Sequence, residues 1–211
     1  MGDDKKLQEI RARIDEIDRQ LQALITERAH CAGEVARLKN IAKDDSEYYR
    51  PEREAQILRT VVERNEGPLS NDDIARLFRE IMSACLALQR PMKVAYLGPQ
   101  GTFTQAAVFK HFGHAVATVP LGAIDEVFRE VESSAAHYGV VPIENSTEGA
   151  VNHTLDMFMI SGLRICSEVE LRIHHNLLSQ AGELQDIKRI YAHQMALAQC
   201  REWLDAKLPN V

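Results

Sequence analysis

LQEIRARIDEIDRQLQALITERAHCAGEVARLK, residues 7–39, decides the fold of the first half of this chain. Its apolar residues are Leu7, Ile10, Ile14, Ile17, Leu21, Leu24, Cys31, Val35 and Leu38. They recur at alternating intervals of three and four, the pattern of a heptad seam. A helix over residues 4–40 is roughly 55 Å long at 1.5 Å per residue. A region of this size cannot bury such a seam within itself, so the spacing predicts a homodimer paired through the first helix.

One residue interrupts the seam. Arg28 occupies an a position, where the next apolar residue belongs, and Arg11 and Lys39 stand at e positions. Charge in or beside a seam is costly unless it is paired or bound. Taken alone, Arg11 and Lys39 read as solvated e-position charges, but Arg28 sits in the core of the pattern. Arg28 and Lys39 are about 16 Å apart along the helix, within reach of two converging long side chains. Arg11 and Lys39 are about 42 Å apart and cannot share a ligand within one chain. An antiparallel pair with its two-fold near residue 22 places Arg11 of one chain beside residues 28–39 of the other. Two identical cationic sites result, each suited to a small dianion.

Working outward, Pro51 suits the first position of a second helix, which closes at Asn65-Glu66-Gly67-Pro68. Ser70 with Asp73 is close to a capping box and opens a third helix running to about Gln89. Arg53 and Glu54 open the second helix. On the third, Phe78, Ile81, Cys85 and Gln89 share a face, so Gln89 points along the apolar stripe. Taken singly, Glu54 and Gln89 are ordinary boundary residues.

Arg90-Pro91 divides two grammars. Residues 1–90 read as helix almost throughout; residues 91–211 hold eight of the chain's 11 glycines. The second half alternates short β-rich runs (93–97, 115–119, 138–143, 164–178, 189–193) with helical ones (104–112, 122–133, 151–161, 194–207). That alternation predicts an α/β fold with a mainly parallel sheet. GPQGTFTQ (98–105) is a glycine-rich turn that lacks a phosphate-loop Lys. ENSTEG (144–149) follows a predicted parallel strand, at the end where open α/β sheets bind ligands. His174-His175 and Tyr191-Ala192-His193 have no supporting carboxylates and read as structural or substrate-lining groups.

Composition narrows the classes. With 45% apolar and 27% charged residues the chain is neither disordered nor fibrous. A net charge of -6 speaks against nucleic-acid binding. No apolar run approaches a membrane span, and MGDDKKLQEI has no signal-peptide core. Cys31, Cys85, Cys166 and Cys200 are widely spaced, which argues against a zinc site or a disulfide framework. The expectation is a cytoplasmic protein with reduced thiols.

The frame L-x-x-I-R-x-x-I-D-x-I-D-x-x-L-x-x-L-I-x-E-R (7–28), followed by EVARLK (34–39), RPEREAQIL (50–58) and LFREIMSACLALQ (77–89), resembles the all-helical chorismate mutase domain. The resemblance implies an all-α three-helix domain over 1–90, entwined with a second copy. It implies that Arg11 of the partner chain and Arg28 bind the two carboxylates of chorismate. Lys39 and Gln89 would donate to the breaking ether oxygen. Glu54 would accept from the ring hydroxyl, and Arg53 would support the cationic wall. Arg50 stands where some members have Asp, and Cys85 where others have Ser, so a hydroxyl hydrogen bond there is weakened or absent.

VVPIENSTEGAVNHTLD (140–156), with GPQGTFTQAA (98–107) ahead of it, resembles prephenate dehydratase. This implies a partial α/β domain over 91–211, like half of a periplasmic binding protein. Glu144, Asn145, Ser146, Thr147 and Gln199 would line the prephenate site, with Thr102 and Thr104 of the GTFT turn at its edge. Ala192 and Gln194 depart from the family's usual Ser and Pro. The family's Thr-Arg-Phe motif and its regulatory Glu-Ser-Arg-Pro motif do not occur, so the reading expects a truncated chain without dehydratase activity. Neither reaction implied needs a metal or other cofactor. The rival reading is a non-catalytic module that binds a small carboxylate and is dimerised by its helices.

Overall fold

The computed structural model describes residues 2–41, 49–145 and 149–211. Three helices come first: α1 (Gly2–Ile41), α2 (Pro51–Glu63) and α3 (Asn71–Ala87). α1 is a single 40-residue helix, with Asp3 and Asp4 in its first turn and Lys39 in its last, charges that suit the helix dipole. α2 has Pro51 in its first turn. Ser70 caps α3: its Oγ accepts from the Asp73 N–H at 3.1 Å and donates to Asp73 Oδ2 at 2.6 Å. α3 packs against both α1 and α2.

The rest adds β1 (Lys93–Leu97), α4 (Phe103–Phe112), β2 (Ala117–Leu121), α5 (Ile124–Glu132) and β3 (Tyr138–Val140). Two very short strands follow, β4 (Glu144–Asn145) and β5 (Gly149–Ala150), then α6 (Asn152–Ile160), a 3-10 turn at Leu184–Asp186, α7 (Gln194–Gln199) and α8 (Arg201–Lys207). β1 is the centre of a parallel sheet of order β2-β1-β3. Val94, Ala95 and Tyr96 have no exposed surface, as expected of a central parallel strand covered on both faces. Val94 and Tyr96 join Met92, Val108 and Phe112 in one core. Ala95 faces the other way, onto Val127 of α5 and Ala136. Gly139 permits that closeness, since a Cβ there would lie 2.9 Å from Val127 Cγ1.

Several boundaries differ from those the sequence suggests. The second strand lies at 117–121, because its pairing starts with Lys93 opposite Ala117. The third stops at Val140, ahead of Pro142, which has no N–H to offer a ladder. The runs 164–178 and 189–193 form no strand. A β-type composition becomes a strand only where a neighbour supplies hydrogen bonds, and among the described residues none pairs with these runs. The helix expected over 194–207 is divided at Cys200, whose backbone (φ -97°, ψ 2°) leaves helical geometry. β4 and β5 form an antiparallel pair, so Glu144 does not end a parallel strand.

The chain forms two compact units, Met1–Ile143 with Asn152–Val169, and Glu144–Val151 with Glu170–Val211. The three helices and the parallel sheet therefore belong to one unit. Their join is α3 against α4. Gly113 caps α4 at φ +76°, and a Cβ there would sit 2.5 Å from that of Ser83. Glu80 of α3 reaches across to His114, accepting from its backbone N–H at 3.1 Å and meeting its Nδ1 at 2.8 Å. Among the described residues no helix is long and apolar enough to cross a membrane.

Candidate active site

The seam of α1 is open in the single chain. Leu7, Ile10, Ile14, Ile17, Leu21, Leu24, Val35 and Leu38 are all exposed, Leu24 to 61%. Within that seam Arg28 is half-buried, as is Lys39 toward the end of the helix, while Arg11 is exposed. Ala36 is buried, at the end of α1 that carries Lys39.

The entry to α2 carries the next group. Arg50 is its N-cap residue, and its carbonyl accepts from the N–H groups of Arg53 and Glu54, both at 3.1 Å. Arg53 is exposed and donates to Gln56 Oε1 at 2.8 Å. Glu54 turns inward: its side chain is 17% exposed and its Oε1 lies 3.7 Å from Arg79 Nε on α3. The Tyr49 hydroxyl donates to the same carboxylate. Burial raises the pKa of Glu54, while the charge of Arg79 and the hydrogen bond from Tyr49 oppose that rise. Burial, then the charge of Glu54, pushes the Tyr49 hydroxyl far up, so it stays protonated as a donor.

Cys85 is buried on α3, at 5% exposure. Gln89 is not on the helix, as the spacing suggests, but two residues past its last residue, Ala87. α3 ends early because Leu88 and Gln89 form a turn, with the Gln89 N–H donating to the Leu86 carbonyl at 2.9 Å. Gln89 remains half-buried.

Of the second set, Thr102 has a structural task. Its Oγ1 caps α4 by accepting from the Gln105 N–H at 3.4 Å, and it donates to the Leu97 carbonyl at 3.3 Å. Thr104 is half-buried in the first turn of α4. Glu144 and Asn145 form β4, with Glu144 exposed; Ser146 and Thr147 lie outside the described residues. Gln199, at the end of α7, bonds His175 Nε2 through its Oε1 at 2.7 Å.

The contacts of Arg79 and Tyr49 with Glu54 are not legible in the sequence. The available signal was Arg79 and Ser83 at i and i+4, two polar residues on one line of a helix whose neighbours are mostly apolar. Tyr49 precedes the helix start and gives no periodic signal. Among the described residues no group of three or more His, Cys, Asp or Glu is placed to hold a metal ion.

The family model for prephenate dehydratase matches residues 94–211, and that for chorismate mutase type II matches residues 10–90. A bifunctional chorismate mutase/prephenate dehydratase from Pseudomonas aeruginosa is 58% identical, the match covering 100% of this chain and 59% of that protein. One from Neisseria gonorrhoeae is 50% identical over 93% of this chain and 54% of its own length. One from Escherichia coli K12 is 29% identical over 97% and 57%. This chain thus spans about three fifths of the curated relatives it matches. A solved prephenate dehydratase in complex with L-Phe, from Arthrobacter aurescens, is 38% identical at a TM-score of 0.42, covering 57% of this chain and 41% of that one. The chain belongs to the prephenate dehydratase family and carries a chorismate mutase type II region ahead of it.

Proposed function

We propose that the helical half rearranges chorismate to prephenate as a homodimer, and that residues 91–211 supply part of a site for prephenate, in the cytoplasm. The observation that carries this reading is Arg28, half-buried in an otherwise apolar, exposed seam within the region matched as chorismate mutase type II. An apolar seam left open along nearly the whole of α1 calls for a partner helix, and a second copy offers the same seam. Antiparallel pairing about residue 22 covers it and delivers Arg11 of one copy toward Arg28 and Lys39 of the other.

The chemistry explains the residue types. The rearrangement is a Claisen reaction within one molecule and uses no nucleophile. Holding the enolpyruvyl arm over the ring removes an entropic barrier. Arg11 and Arg28 suit the two carboxylates, since a guanidinium pairs with a carboxylate through two parallel bonds. Lys39 and Gln89 would donate to charge growing on the ether oxygen. Glu54 would accept from the ring hydroxyl, with Arg50 and Arg53 beside it and Cys85 beneath. Gln89 is neutral, so activity does not require acidic pH. In the second half, Glu144, Asn145, Ser146, Thr147, Gln199, Thr102 and Thr104 remain the proposed prephenate contacts.

The test is chorismate turnover by the purified chain, with the product identified by mass spectrometry. Prephenate is the expected product. Arg28→Ala should lower kcat/KM by about 100-fold or more while helix content by circular dichroism stays unchanged. No consumption of chorismate by a folded dimer would sink the reading and favour a module that only binds a carboxylate. Since no Thr-Arg pair occurs in the 211 residues, prephenate should accumulate. Phenylpyruvate forming at an enzyme-like rate would overturn that part.

A further inference from the structure

Arg79 is a costly residue where it stands. Its side chain is 25% exposed, and its Nε is buried without a hydrogen-bond partner. The contact it does make, 3.7 Å to Glu54 Oε1, is long for a hydrogen bond and close for two charges. An apolar side chain of similar size would fill the place without the desolvation cost, and a lone buried ion pair seldom adds net stability. Stability therefore does not account for the guanidinium.

The second hold on Glu54 comes from elsewhere. Tyr49 lies one residue ahead of the α2 cap, yet its ring is 8% exposed and sits in the core of the parallel sheet with Met92, Val94, Tyr96, Val108 and Phe112. Its ring centroid lies 5.7 Å from that of Phe112 and 5.4 Å from that of Tyr138. The hydroxyl of this anchored ring donates to Glu54. One carboxylate is thus held by a charge on α3 and by a hydrogen bond from the sheet core.

We infer that Arg79 and Tyr49 are positioning residues for the mutase reaction: they hold and aim the Glu54 carboxylate, and Tyr49 ties that aim to the core of the α/β half. The inference rests on the mutase reading of Glu54 given above. Burial favours the protonated carboxyl and Arg79 opposes it. Without the guanidinium, only the bond from Tyr49 opposes the rise that burial imposes. A neutral acceptor bonds a hydroxyl about half as strongly as a charged one. The coupling also has a direction: residues 91–211 contribute to a site whose substrate contacts all lie within 1–90.

Four variants of the full chain test this: Tyr49→Phe, Arg79→Met, Arg79→Lys and Glu54→Gln, assayed with chorismate from mildly acidic to mildly alkaline pH. Tyr49→Phe keeps the packed ring and should melt near the wild type. It should raise KM by about 3–10-fold, the worth of one hydrogen bond, with kcat less affected. Arg79→Met should lower kcat/KM by about tenfold or more near neutrality and move the acid limb of its pH profile upward. Arg79→Lys should restore the limb, because the charge is what matters. In a Glu54→Gln background the limb should vanish, and Arg79→Met should cost nothing further. Folded Arg79→Met and Tyr49→Phe with wild-type profiles and KM, in an assay where the wild type is active, would overturn this inference alone. An inactive wild type would overturn the mutase reading and this one with it.

Discussion

α1 and β1 solve the same problem in opposite ways. Both are apolar segments that water disfavours. β1 hides Val94, Ala95 and Tyr96 completely, between two parallel neighbours and beneath α4 and α5. α1 has eight times as many residues, and only Ala36 among its described side chains is buried. A strand of 5 residues finds all its partners within one chain; a seam of about 46 Å does not. The central strand is therefore satisfied within one chain, while the long helix leaves its apolar seam open. The chemistry proposed for each half follows the same division. The proposed mutase contacts would draw on two chains, whereas the sheet's core needs one.

The sharpest way to break the comparison is at the seam's midpoint. Leu21→Asp places a charge beside the proposed two-fold and should convert the dimer to a monomer in sedimentation experiments. Chorismate turnover should fall by about 100-fold or more, because Arg11 then has no neighbouring site to complete. A variant that stays dimeric and active would show that α1 is not the interface.

The opposite substitution probes the sheet. Val94→Ala removes two methyl groups from a fully buried position and should cost about 2–3 kcal/mol in chemical denaturation, while the dimer persists. Because Tyr49 shares that core, α2 and the sheet should unfold in one transition rather than two. Separate transitions would mean that the join at Tyr49 and Gly113 is weaker than the packing indicates.

That join can be tested directly. Gly113→Ala puts a Cβ 2.5 Å from that of Ser83, on a backbone at φ +76°, and should cost about 1–3 kcal/mol by thermal or chemical unfolding. A neutral effect would mean that α3 and α4 separate easily.

The smallest expected effect is pH-dependent. Burial, then the charge of Arg79, lowers the pKa of His111, which stacks edge-on against Phe112. The folded state then binds fewer protons than the unfolded one. Stability is present above the ordinary histidine range and is lost as pH falls through the lowered value. Glu80 acts in the same sense. Burial pushes it up, but its bonds from His114 prevail and leave it lowered. Glu54 opposes them, since its raised value makes stability fall with rising pH across the carboxylate range. The melting temperature should therefore drop from neutral to mildly acidic pH, and His111→Gln should flatten the upper part of that drop.

How far the residues foretold these results depends on how local each signal is. The α1 seam, the Ser70 cap and Pro51 were legible because each is a short-range pattern: a period, a side chain reaching three residues on, a missing N–H. The alternation after residue 91 likewise predicts a parallel sheet. The strands at 164–178 and 189–193 failed because composition states a preference, and a partner strand must satisfy it. Gln89 was misplaced by two residues because helix ends are set by local turns as much as by the apolar stripe.

The sequence by itself determined the helical and α/β halves, the heptad seam, and the identity of the cations on it. Periodicity and residue type carry that information without any fold. Only the tertiary structure decided that Glu54 turns inward to Arg79, that Tyr49 is anchored in the sheet's core, and that α3 and α4 close through Gly113 and Ser83. Those contacts join residues 25, 43 to 89, and 30 positions apart. No local pattern encodes a pairing at such separations; it is fixed only when burial of both partners is settled together.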